Sequence, residues 1–368
     1  MKLADKIATT QGEVIKVAAF TAGQNIPGAR FRIRQYIPAL STLGVEVGEF
    51  SGRFGAYPPA AKLGRPFWAI GSLASRLPGI ASSYRHDVVL FQRELLSTFS
   101  TLEPLTRRPR LLDVDDAIWL RRGGSFARRL AGICDSVICG NSFLAENFSQ
   151  WNSDITILPT AVDTERFAPP ETKSVTARPT IGWMGGRHGF TDLQVAQRAL
   201  QIILMKYPQV QLRVIADEYP HSLNLPADQV DFVRWSPETE VVGIQDIDIG
   251  IMPLEDTLWN RGKCAYKMLL YMSCGAPVVA SPIGMSGEII NLAQVGRSAR
   301  TTDDWVGAFE ELLHSPQLAV AMGKRARQVV LDSYSIHALA PKLAAQILRV
   351  AGREVAQARE KSENLSGA

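Results

Sequence analysis

Cysteine and long apolar runs are both scarce in this chain of 368 residues. Its four cysteines, Cys134, Cys139, Cys264 and Cys274, make no CxxC pair and no zinc-type spacing. They therefore read as reduced thiols rather than a disulfide framework or a metal knot. No window of about 18 consecutive apolar residues occurs, which argues against a spanning helix. The opening residues from Met1 to Glu13 lack the apolar stretch of a secretory signal, so a cytoplasmic protein is expected. Tandem repeats and low-complexity blocks are missing as well. Neither sign of charge dominates: 40 basic and 36 acidic residues leave a net +4, too little overall to argue for nucleic acid. What remains is ordinary globular composition, 46% hydrophobic and 21% charged, at a length suited to two domains.

Short apolar runs alternate with amphipathic stretches, the pattern of βα units and parallel sheets. Strands are expected at Val14–Phe20, Val45–Val47, Asp87–Phe91, Arg110–Val114, Ser136–Cys139 and Ile155–Pro159. Helical but irregular sequence fills 60–85, with Pro66 and Pro78 as interruptions. A polar, proline-bearing stretch from Phe167 to Ser174 reads as a linker. Alternation then restarts at Thr180, with strands at Val210–Ala216, near Phe232, at Ile247–Met252 and at Pro277–Ala280. A helix is expected over about 263–274, and two or three more run to about 356. The division expected is residues 1–168, 169–335 and a closing segment 336–368 that ends in a polar tail. Two doubly wound α/β domains facing across a cleft follow, and ligands in such sheets bind at the carboxyl ends of the strands.

Two segments look built for phosphate. Gly262 leads toward a helix, and Lys263 and Lys267 are spaced to share one helical face near its positive end. The plain alternative is two lysines solvating a surface helix. Gly182–Gly189 is a strand running into glycines that let backbone approach a ligand, at Gly185 and Gly186, with Arg187 able to fork onto a phosphate. His188 could donate there or cap the next helix, and Trp235 reads as a core residue.

The run Asp248–Leu254, Gly262-Lys263-Cys264, Lys267, Tyr271-Met272 and Gly275–Ser281, continued by Pro282–Ile290, resembles the donor domain of family 4 (group 1) retaining glycosyltransferases. Arg30–Arg32, Gln35-Tyr36, Gln92–Glu94, Asp113–Ala117, Asn141 and Leu158–Phe167 extend the resemblance through the first half. The resemblance implies a GT-B fold, an α/β architecture of two Rossmann-like domains. It implies acceptor on the N-terminal domain, nucleotide sugar on the C-terminal one, retention of configuration, no obligatory metal or cofactor, and a final helix crossing back. Gly284 and Glu288 enter as donor-binding positions on the same ground, with a UDP- or GDP-sugar as substrate. Many members carry two glutamates eight positions apart, the second holding the donor ribose; Gly262 and Leu270 stand at those positions here. A lysine common about six residues beyond the loop arginine is replaced by Leu193, and Lys263 or Lys267 would carry that charge.

In the first half, Asp113, Asp115 and Asp116 end a strand, where one could act as a base toward an acceptor hydroxyl. Helix capping by Asp115 or Asp116 is the structural alternative. Gly23 and Gly28 would allow close ligand approach, Arg30, Arg32 and Arg34 would divide between cleft and solvent, and Arg93 with Glu94 would form a cleft-edge pair. Ala60–Arg76 mixes Lys62, Arg65 and Arg76 with Phe67, Trp68, Ile70 and Leu73, as an interfacial helix does. Residues 104–130 hold seven arginines against three aspartates and so carry the whole net charge. A lipid-linked acceptor at an anionic membrane, with peripheral attachment on its inner face, would account for both; a solvated charged face is the alternative.

The reading is a glycosyltransferase acting on a glycan or lipid-linked acceptor, in cell-surface polysaccharide biosynthesis. Lys263, Lys267 and Arg187 would stabilise the leaving diphosphate, and Asp115 or Asp116 would orient the acceptor. A catalytically silent nucleotide-sugar-binding subunit is the main alternative, because of the absent glutamates. An NAD-dependent oxidoreductase lacks its G-x-G-x-x-G fingerprint, and a solute-binding protein its export signal.

Overall fold

The computed structural model describes residues 14–24, 26–55, 57–171 and 178–353. The expected polar tail, part of the expected linker and the opening segment 1–13 lie outside the described residues. The chain divides into two compact units, one ending at Ala161 and resuming at Ile336, the other spanning Val162–Ser335.

The first unit is a parallel sheet of β1 (Ile15–Thr21), β2 (Val45–Ser51), β3 (Val88–Gln92), β4 (Arg110–Val114), β5 (Ser136–Cys139) and β6 (Ile155–Ile157). The order is β2-β1-β3-β4-β5-β6, with helices α1 (Ile37–Thr42), α2 (Arg65–Ser83), α3 (Ser125–Ile133) and α4 (Ser142–Phe148) in the crossovers. Strands β3, β4 and β5 are buried along their whole length, as apolar runs covered on both faces must be. Asn141 caps α4 by accepting from Leu144 N–H at 2.8 Å.

The second unit holds β7 (Thr180–Met184), α5 (Phe190–Lys206), β8 (Gln211–Ala216), β9 (Val230–Arg234), α6 (Pro237–Gln245) and β10 (Ile249–Met252). It continues through α7 (Leu258–Arg261), α8 (Tyr266–Ser273), β11 (Val278–Ala280), α9 (Met285–Leu292), β12 (Gly296–Ser298), α10 (Thr302–His314) and α11 (Pro316–Val329). Its order, β12-β11-β10-β7-β8-β9, is the doubly wound arrangement in which strand order reverses between β7 and β10. The last helix, α12 (Ile336–Val350), belongs to the first unit: Leu339, Ala340, Leu343, Ala344 and Ile347 join Ile15, Val17, Leu90 and Leu111 in one core.

Several local expectations are overturned. Residues 65–83 form one unbroken helix, because Pro66 sits in its first turn, where no N–H is required, and Pro78 is accommodated within it. Arg32 is in neither cleft nor solvent. It is buried against Asp113, with Nη2 2.7 Å from Oδ2, and its Nη1 donates to the Leu158 carbonyl at 2.8 Å. Arg34 instead pairs with Glu49 at 2.6 Å. Arg76 is buried too, donating to the carbonyls of Thr21, Phe50 and Leu95, and burial pulls its pKa down to about 10 against the opposing pull of Glu103. The arginine-rich region is only partly a charged surface: Arg110 is buried and bonded to Thr106 and Pro104, and Arg108 pairs with Asp135. Arg122 lies over the Phe99 ring and Arg128 over Trp151. Strand β12 has no counterpart in the sequence reading.

Candidate functional site

The reversal point of the second sheet is where a doubly wound sheet binds ligand. Strand β7 ends there in Gly185 and Gly186, and α5 begins after the turn Arg187–Gly189. The Arg187 backbone N–H donates to Asp217 Oδ1 at 2.7 Å, which fixes the turn. Its side chain is 57% exposed and meets Glu218 only at 3.8 Å, so the guanidinium is available to a ligand. Gly185 and Gly186 differ in kind. A Cβ on Gly185 would enter the Trp183 ring and stand 2.6 Å from Lys267 Nζ, so packing demands this glycine. A Cβ on Gly186 would meet nothing nearer than Asp217 at 3.8 Å, leaving that face open to an approaching group. His188 is exposed, and its carbonyl accepts from the Thr191 hydroxyl.

The lysines converge, but not in the manner the spacing predicts. Helix α7 stops at Arg261, and α8 starts only at Tyr266 after the left-handed residue Ala265 at φ 49°. Lys263 therefore precedes the helix, while Lys267 sits in its first turn. Lys263 Nζ lies 2.6 Å from Asp192 Oδ2 in the first turn of α5, and Asn260 Nδ2 donates to Asp192 Oδ1 at 2.9 Å. Lys267 Nζ stands 4.9 Å from the Trp183 ring centroid. Among the described residues no carboxylate pairs with it. Burial and the neighbouring Lys263 bring its pKa down to about 8, with Asp192 working the other way. Two cations, a buried aromatic ring and an open glycine surround one point at the strand ends.

Beneath this point Tyr271 accepts from the Met184 N–H at 2.7 Å and occupies the space beside Gly250, where a Cβ would overlap its ring. Leu270 is fully buried, so the position of the family's ribose-binding glutamate faces the core. Gly284 has φ 51°, and a Cβ there would stand 2.5 Å from the Arg261 carbonyl, which places the start of α9 against the turn leading to Lys263. Glu288 is exposed in the first turn of α9. Trp235, expected in the core, follows β9 and is 37% exposed.

In the first unit the order reverses between β1 and β3, and a second polar group gathers there. The three aspartates do not act as a cluster, because the strand ends at Val114 and their directions diverge. Asp113 is held by Arg32, whereas Asp116 Oδ2 lies 3.6 Å from Arg93 Nη1. Asp115 Oδ2 is beside Gly28, where a Cβ would come within 3.3 Å of it and 2.5 Å of Gln92 Nε2. Arg93 has φ 69° and meets Glu94 at 3.7 Å; burial works against its charge, and Glu94, Asp116 and Asp115 outweigh it. Gly23 is a turn residue whose carbonyl accepts from Arg34. Gln92, part of the resemblance but given no site role in the sequence, is only 1% exposed, and among the described residues neither end of its amide is hydrogen-bonded. From the residues themselves its signal is a polar side chain closing an apolar strand.

Residues 178–315 match the family model described as glycosyl transferases group 1. Among curated proteins none matches the chain in sequence. Solved structures share its architecture. One is HepE of Anabaena in complex with UDP and glucose, with a TM-score of 0.63, 12% identity, and 90% of this chain and 99% of that one covered. WaaG, a glycosyltransferase involved in lipopolysaccharide biosynthesis, gives 0.63 and 14%, covering 90% and 99%. Sucrose-phosphate synthase from Thermosynechococcus elongatus gives 0.64 and 16%, covering 91% and 98%. Residues 178–315 thus resemble the group 1 glycosyltransferases, and the two parallel-sheet units have the architecture of the GT-B fold.

Proposed function

We propose that the protein transfers a sugar, with retention of configuration, from a nucleotide diphosphate sugar to a hydroxyl of a glycan or lipid-linked acceptor in surface-polysaccharide assembly. The observation that carries the reading is Lys267, an ammonium packed on Trp183 at the strand-order reversal, with which no carboxylate among the described residues pairs. A buried cation without a counter-ion is costly unless an anion comes to it. The α- and β-phosphates would take Lys267, Lys263, the Arg187 guanidinium and the N–H groups about Gly186. These donors stand ready for the charge that develops on the leaving diphosphate, which is where stabilisation accelerates transfer. Glu288 would supply a carboxylate to the ribose in place of the glutamate replaced by Leu270. HepE binds UDP, which makes a UDP-sugar the first donor to test and a GDP-sugar the second.

On the first unit, Asp115 or Asp116 would accept a hydrogen bond from the acceptor hydroxyl, and the unused Gln92 amide would read a neighbouring one. Thermal shifts with UDP-glucose, UDP-galactose and GDP-mannose test the donor half; no shift with any of them sinks it. Product anomers read by NMR test retention. Gly262 and Leu270 at the two glutamate positions favour a second reading, a silent nucleotide-sugar-binding subunit. Tight donor binding with neither transfer nor donor hydrolysis would establish that one.

A further inference from the structure

The first unit carries a helix whose apolar side faces away from the protein. In α2 the inward residues are Ser72, Arg76, Gly79, Ile80 and Ser83. On the opposite side Leu63, in the turn before the helix, is 90% exposed, followed by Phe67 at 79% and Ile70 at 67%. Leu77, two turns on, is exposed as well. Spacings of three, four and seven place all four on one stripe, the pattern a globular helix ordinarily buries. The preceding loop extends the stripe: exposed Phe54 packs its ring on Gly71, and its carbonyl accepts from Trp68 Nε1 at 2.8 Å. Exposed Tyr57 follows.

The rotation of α2 is not free to correct this. Arg76 is anchored to the backbone carbonyls of Thr21, Phe50 and Leu95, so turning the apolar side inward would break three charge-assisted bonds, those to Thr21 and Leu95 buried. The charge of the surface then selects its occupant. Between Glu49 and Asp87 the chain has no Asp or Glu, whereas Arg53, Lys62, Arg65 and Arg85 are exposed. A second copy of the same face would bring cations against cations. An apolar interior edged with anionic groups accepts both the stripe and its charges.

We propose that this face of α2 docks on an anionic lipid bilayer, with Leu63, Phe67 and Ile70 entering the acyl boundary and Arg53, Lys62 and Arg65 at the headgroups. Beside the donor reading, which it deepens, it makes the acceptor a lipid-linked molecule; the docking itself needs no nucleotide. Flotation of the full chain with phosphatidylcholine vesicles, with and without phosphatidylglycerol, tests it. The wild type is expected to float with the anionic vesicles, more weakly without phosphatidylglycerol. Phe67→Glu with Ile70→Glu should weaken flotation at least about tenfold, since one buried Phe or Ile is worth that much in partition. Its melting temperature should hold, because both side chains are exposed. Lys62→Ala with Arg65→Ala should lose the preference for anionic vesicles. A wild type that does not float, a double variant that floats equally well, or a dimer abolished by the double variant would overturn the proposal, the last in favour of a copy-to-copy interface. None of these outcomes depends on nucleotide binding, so the donor reading stands or falls separately.

Discussion

The ammonium of Lys263 is bonded at 2.6 Å to Asp192, a carboxylate in the first turn of a helix 71 residues earlier in the chain. Asp192 sits where an anion already profits from the helix dipole, and it neutralises the lysine that a diphosphate would need. Replacing it by Asn keeps a side chain able to meet Asn260 and releases Lys263. Asp192→Asn should therefore tighten UDP about three- to fivefold at low salt, close to 1 kcal/mol. Calorimetric titration of both proteins checks it, and weaker binding in the variant would mean that Asp192 positions Lys263 rather than competing for it.

Lys267 gives opposite pH signatures to binding and to stability. Its pKa of about 8 lies below the ordinary lysine value of 10.5, so between those values the folded chain holds fewer protons than the unfolded one. Stability from this group therefore rises as pH increases through that window and is lower beneath it. Diphosphate affinity should instead fall as pH rises through about 8, because the ammonium is lost. Titrations and melts from pH 7 to pH 10 check both slopes. Lys267→Met should remove the two together and reduce UDP binding by at least about tenfold.

The two loop glycines should respond differently to the same methyl group. Gly185→Ala forces a Cβ into the Trp183 ring and toward Lys267, and is expected to cost about 1–3 kcal/mol together with nucleotide binding. Gly186→Ala meets only Asp217 at 3.8 Å and should leave the melting temperature nearly unchanged. Comparable melts for the two variants would refute the packing role given to Gly185.

Gln92 is expected to trade stability against activity. Among the described residues its buried amide has no partner, and such a group costs on the order of 1–3 kcal/mol. Gln92→Leu keeps the volume and removes the orphan, so the melting temperature should rise while the KM for acceptor increases. A destabilised variant with unchanged kinetics would show the amide to be structural.

The neighbouring aspartates should separate cleanly. Asp113→Asn leaves Arg32 buried without its counter-ion and should cost about 3–5 kcal/mol in chemical denaturation. Asp115→Asn and Asp116→Asn should keep the fold and lower turnover. Equal destabilisation by all three would remove Asp115 and Asp116 from the acceptor site.

Strand positions were legible because buried parallel strands are continuous apolar runs, and Arg110–Val114, Ser136–Cys139 and the start of β7 at Thr180 needed no other signal. Gly296–Ser298 escaped because a three-residue strand of Gly, Arg and Ser has no apolar pattern; it is held by pairing with Val278–Ala280. Residues 262–274 showed the right side chains with the wrong backbone. Helix spacing predicted that Lys263 and Lys267 meet, whereas the chain breaks at Ala265 and brings them together from a turn and a helix. Arg32 and Asp113 stand 81 residues apart, and Arg76 finds carbonyls on three separate segments. Sequence alone carries no trace of such distant partners, which is why Arg32 reads as a cleft or solvent residue and Arg76 as part of an interfacial helix.

The return of α12 to the first unit has a consequence for biosynthesis. The second unit is one continuous stretch, Val162–Ser335, and all of it leaves the ribosome before Leu339, Leu343 and Ile347 do. Until those residues emerge, the side of the first sheet holding Ile15, Val17, Leu90 and Leu111 lacks its cover. The unit synthesised first is thus the one completed last, and a chain truncated after Ser335 would expose an open apolar sheet in its first unit to chaperones although its second unit is complete in sequence.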